Sequence, residues 1–134
     1  MNTSNIIKKF NSIVLDLLEQ TIDMIGTKFL FNFKLMTRIN AVAPIEKFTT
    51  TMLPYKKQII SRNVEFFINE SKNLEHYNNI NQNDMIDLKN IFLNIDMESQ
   101  ENIWDILEVL ISLAEERYNN NKNNNNNNIF TCRN

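Results

Sequence analysis

The residue types that most often carry chemistry are few in this chain and poorly spaced for it. His76 is the one histidine, beside Glu75 in a polar stretch. A catalytic dyad needs a nucleophile held nearby by the fold, and no neighbour supplies one. Cys132 is the one cysteine, third from the end of the sequence, which excludes a disulfide framework and a cysteine-based zinc site. Asp84 and Asp87 suit the electropositive first turn of a helix better than a metal. A single glycine, Gly26, cannot build a phosphate-cradling loop.

One acidic constellation remains. Glu98, Glu101, Asp105 and Glu108 fall at i, i+3, i+7 and i+10, on one face of a helix. Carboxylates this close can raise one another's pKa or hold a cation. Such a run is more often the wet side of an amphipathic helix, and these four are expected to be that. The aromatic-and-basic pattern of an RNA-binding sheet does not occur. The expectation is a protein that is not an enzyme and that uses no metal or cofactor.

The elements that would position these residues are helices. Gly26, Pro44 and Pro54 are the only glycine and prolines, so the tight hairpins of a multi-strand sheet are hard to build. A first helix is predicted from about Asn5 to Ile25, capped by Ser4 or Thr3 and ended by Gly26 in a left-handed conformation. Ile6, Phe10, Ile13 and Leu17, with Val14, Leu18, Ile22 and Ile25, step by three and four along it. Residues 28–42 admit a short strand at FLFNF, but Phe29, Phe33, Met36 and Ile39 keep a helical step, and helix is preferred.

Pro44 suits the first turn of the next helix. Thr49, Thr50 and Thr51 weaken it by β-branching, and a break is expected at Leu53–Pro54. One helix should then run from Pro54 to about Asn69, with a polar connection from Ser71 to Asp84. Asp84 can cap a shorter helix from Met85 to about Leu93. Asp96 or Ser99 caps the last, ending near Tyr118, with Ile103, Leu107, Leu110 and Ala114 inward beside Trp104 and Ile111. The sum is an all-α domain, a compact bundle of about five helices over residues 1–118. Residues 119–134 are too rich in asparagine to bury apolar surface and are read as a disordered tail.

Charge is unevenly placed. Residues 1–72 carry a balance of +4 and residues 73–134 a balance of −6. In a compact domain the two halves then attract across their shared surface, or the whole molecule is polar enough to favour head-to-tail contacts. Lys28, Lys34, Arg38, Lys47, Lys56, Lys57 and Arg62 form a candidate basic surface, which admits a nucleic-acid partner if the fold clusters it. Phe29, Phe31 and Phe33 cannot all face one way. Either the segment is core on two sides, or one ring is partly exposed and marks an interface. With Trp104 they are the candidate anchors for a protein partner or for self-association.

No segment approaches the ~20 apolar residues of a membrane span, and the first twenty residues lack the order of a signal peptide. An intracellular location without membrane contact is expected. The chain has 25 Asn, 18 Ile and 10 Lys against 3 Ala, a usage that suggests an AT-rich genome.

The order IEKFTTTMLPYKKQIISRNVEFFIN (Ile45 to Asn69), a polar gap, then NIWDILEVLISLAEERY (Asn102 to Tyr118) resembles small helical proteins of giant nucleocytoplasmic DNA viruses of amoebae and algae, the mimivirus-like group. The matching positions are Phe48, Pro54, Ile59, Glu65–Phe66 and Ile103–Trp104. The resemblance implies a helical fold and an accessory or virion-associated role, in the host cytoplasm or the virion, and brings no assigned catalytic role with it.

Overall fold

The computed structural model describes residues 1–69 and 90–132, with side chains as far as Asn123. Every regular element among these residues is helical, as the sequence predicts. In chain order they are α1 (Thr3–Gln20), α2 (Ile22–Ile25), α3 (Lys28–Ile39), α4 (Ala43–Met52), a 3-10 turn at Leu53–Tyr55, α5 (Lys56–Ile60) and α6 (Met97–Cys132). Residues 64–69 and 90–94 are also helical. The predicted polar connection with His76, and the pair Asp84 and Asp87, lie outside the described residues.

α1 begins earlier than predicted. Asn2, not Thr3 or Ser4, is the cap, its Oδ1 accepting the N–H of Asn5 at 2.8 Å and so satisfying one of the helix's orphan donors. The helix expected to reach Ile25 in one piece is interrupted at Thr21. There the backbone leaves the helical well, with φ −101° and ψ 10°, although the Thr21 N–H and hydroxyl both still donate to the Leu17 carbonyl. α2 then ends at Gly26, with φ 78° and ψ −175°.

The positive φ was foreseen at Gly26, but the extended ψ takes it out of the left-handed helical well into a region that is essentially glycine's own. A Cβ there would meet nothing within 4 Å, so substitution strains the backbone alone. Gly26→Ala is expected to lower stability by about 1–3 kcal/mol, read from a shifted denaturation midpoint. A negligible shift would mean that the α2–α3 link is free to rearrange.

The ambiguous segment is helix α3, and no strand forms among the described residues. In α4 the three threonines do not unwind the helix, because each hydroxyl is satisfied. Thr49, Thr50 and Thr51 donate to the carbonyls of Ile45, Glu46 and Lys47 at 2.7, 3.1 and 2.7 Å. The break expected at Leu53–Pro54 is the 3-10 turn.

The single helix predicted from Pro54 to Asn69 is corrected to two pieces. α5 ends at Ile60, Arg62 takes φ 55°, and Asn63 caps residues 64–69 by accepting the N–H of Phe66 at 3.0 Å. Asn63 N–H reaches back to the Gln58 carbonyl and Arg62 N–H to that of Ile59. This paired closure usually puts glycine where Arg62 stands.

Asp96 caps α6, its Oδ1 accepting the Ser99 N–H at 2.6 Å. That backbone bond, with a second from the Ser99 side chain, holds the Asp96 carboxyl below its ordinary range. Asp96 therefore binds its proton less tightly folded than unfolded. Its contribution is complete above the unfolded pKa of about 4 and fades as pH falls through the lower folded value. Asp96→Asn keeps a capping oxygen and should flatten the stability–pH curve on that acid side. An unchanged slope in urea titrations at stepped pH would exclude this role.

α6 is the central element. Ile6 and Phe10 of α1 and Ile45 of α4 pack with Leu110, Leu113 and Ala114. Ile59 of α5 packs with Trp104 and Ile111. Phe48 and Leu107 touch both groups. Trp104, Ile111, Leu113 and Ala114 spread over about half the helix circumference at 100° per residue, wider than the stripe predicted, because α6 serves two clusters. Ile103, expected inward, is only half-buried.

The helix continues to Cys132, past the end predicted near Tyr118. An established helix adds one hydrogen bond per residue, and asparagine is a poor helix former but not a breaker. Among the described side chains none beyond Ala114 joins the core.

Candidate interaction surface

α3 has two apolar faces. Phe33 is buried and Phe29 and Met36 are half-buried, on a helix that packs against α1 and α4. On the opposite side Phe31, Leu35 and Ile39 are 66, 47 and 78% exposed. At 100° per residue these three span ~80° of arc, a single row at i, i+4, i+8. The phenylalanine question is thus answered ring by ring: Phe33 is core, Phe29 lies at the margin and Phe31 is outside. Ile39, grouped from its spacing with the inward residues, belongs to the outer row. Leu35 lies between Phe31 and Ile39 on that row. The usable signal was that Phe31, Leu35 and Ile39 also step by four.

Lys28, Lys34 and Arg38 are exposed on this helix, which carries no acidic residue. Lys34 and Arg38 form no ion pair among the described residues. They also edge a groove of about 390 Å³ between α1 and α3, with Asn11, Ser12 and Leu15 on its other wall.

The rest of the predicted basic surface is not gathered here. Lys47 and Lys57 are exposed on α4 and α5. Lys56 Nζ donates to Glu115 Oε2 at 2.7 Å. Arg62 bonds Glu101 through Nη1, and through Nη2 meets Asp105 at 2.6 Å and Glu108 at 3.4 Å. The hydrogen bond to Asp105, then the charges of Glu101, Asp105 and Glu108, raise the Arg62 pKa further. So a first-half cation sits on the acidic face of α6, as the uneven charge placement predicts. Arg117 Nη2 to Glu46 Oε1, at 3.3 Å, joins the halves in the opposite sense.

Trp104 is 6% exposed, so it is no surface anchor. It is enclosed by Phe67 and Phe92, with ring centroids 6.0 and 5.8 Å away, and Phe67 continues to Tyr55 and Phe66. The indole is worth more to the fold inside this cluster than at a surface.

Among the described residues no group of His, Cys, Asp and Glu is arranged to hold a metal ion, and no helix is long and apolar enough to cross a membrane. Comparison with protein-family models, with curated proteins and with solved structures finds no match.

Proposed function

We propose that this protein is a non-enzymatic interaction or structural protein that works through a helical surface, the outward face of α3. One observation carries the reading: Phe31, Leu35 and Ile39 form a continuous exposed apolar row on a helix that already buries its other face. Large apolar side chains grouped in this way are characteristic of a binding surface. The flanking cations Lys34 and Arg38 favour an acidic partner surface, since opposite charge both steers encounter and rejects basic competitors. The resemblance to giant-virus proteins suggests the setting, an accessory or virion-associated component.

The test compares wild-type protein with Leu35→Glu, each tagged and recovered from its native cells. A partner held in stoichiometric amount by the wild type and lost with Leu35→Glu supports the reading, and a second copy of the chain counts as such a partner. Equal recovery by both proteins would sink it.

A further inference from the structure

The α3 row has a counterpart on the same molecule. Residues spaced by four form a ridge, and such ridges pack into matching grooves of another helix, most often at about −50°. Between α1 and α6 lies a groove of about 470 Å³. Val109, 43% exposed, lines it, and four residues on, at its floor, is Leu113, a core residue that is only 5% exposed. Beside them Glu108, Ser112 and Glu116 form a parallel row, also stepping by four. The two surfaces correspond row by row. On α3 an apolar row runs beside Lys34 and Arg38, and on α6 an apolar pair runs beside two carboxylates separated by a small serine.

We propose that the protein self-associates head to tail, the α3 ridge of one copy seated in the α1–α6 groove of the next. Phe31, Leu35 and Ile39 then cover Val109 above the already buried Leu113, while Lys34 and Arg38 face Glu108 and Glu116. This rests on the reading of α3 as an interaction surface and supplies its partner. The groove's charges are partly engaged already: Glu116 meets the N-terminal amine of Met1 at 3.1 Å, and Lys9 lines one wall. Arg62, however, is one guanidinium shared by Glu101, Asp105 and Glu108, which leaves an excess of negative charge on that face.

A symmetric pairing of α3 with α3 would instead set Lys34 and Arg38 against their own copies. Charge therefore selects the heterologous arrangement over the two-fold one. A heterologous contact leaves one ridge and one groove open at the ends, so copies add into a ring where the rotation closes and into an open filament where it does not.

The experiment is sedimentation of the purified full chain over a wide range of concentration, at low and high salt. The weight-average mass should rise with concentration and fall with salt. Leu35→Glu removes the ridge and Val109→Arg the groove; each should weaken association at least ~10-fold. Both positions are exposed, so circular dichroism should show both variants folded. Mixed together, the two variants should form a one-to-one dimer and nothing larger, since each retains one competent face.

A wild type that stays monomeric at low salt overturns the proposal, yet leaves α3 as an interaction surface if Leu35→Glu still loses a partner from cells. A wild type that assembles while the mixed variants stay monomeric overturns the ridge-in-groove pairing. Assembly unaffected by either variant overturns it as well.

Discussion

Replacing Trp104 with alanine is expected to lower the stability of the fold by about 3–5 kcal/mol, the range for deleting a large buried aromatic. The indole is 6% exposed and fills the space among Ile59, Ile111, Phe67 and Phe92. Its loss leaves a void lined by two rings and two isoleucines from four separate stretches of chain, and such a surround collapses only in part. Trp104→Phe keeps much of the contact and should cost distinctly less. Urea denaturation followed by circular dichroism measures both. If the alanine variant unfolded at the wild-type midpoint, Trp104 would be the surface anchor that its residue type alone suggests.

The second large effect is a contrast between two phenylalanines. Phe10 is 1% exposed and meets Phe48 edge-on, with ring centroids 5.3 Å apart and planes at 66°. It joins α1 to α4 and α6, so Phe10→Ala should cost about 3–5 kcal/mol. Phe31 is 66% exposed, and Phe31→Ala should change stability by no more than about 0.5 kcal/mol. The same chemical change thus separates a residue that holds the domain together from one that faces outward. Equal losses in denaturation midpoint would remove α3 as a free surface.

The pattern of apolar residues made the helices legible. The Ile6–Phe10 step and the Leu110–Ala114 step are where they were expected, because a strong helical period survives any change of neighbour. What misled was local chemistry within those helices. The backbone turns out of the helical well at Thr21, and Arg62 takes a backbone conformation usually left to glycine. Neither event alters the apolar period, so the period could not report them. Asn63 as a cap was visible in principle, but in a chain with 25 asparagines one more carries little weight.

The surface was harder to read than the core, for a related reason. α3 carries apolar residues around most of its circumference, and spacing alone does not say which row turns inward. That depends on where α1 and α4 lie, which is tertiary information. Trp104 was misassigned for the converse reason: aromatic residues dominate both interfaces and interiors, and composition does not separate the two. The uneven charge placement was more reliable, since Arg62 and Lys56 do reach across to α6. Opposite charges on two halves of one chain have few other places to go.

The position of α6 in the chain has a consequence for synthesis. Both clusters close on this helix, and it follows every other core-forming helix in order. A nascent chain holding α1 through α5 has made all the surfaces that α6 will cover, but has nothing yet to cover them. The sides of Ile6, Phe10, Ile45 and Ile59 that α6 covers stay open to solvent or to chaperones until Ala114 has emerged from the ribosome. Domains that fold as a unit are most exposed to aggregation in such a waiting interval. Here the interval ends only when the last core residue has left the ribosome.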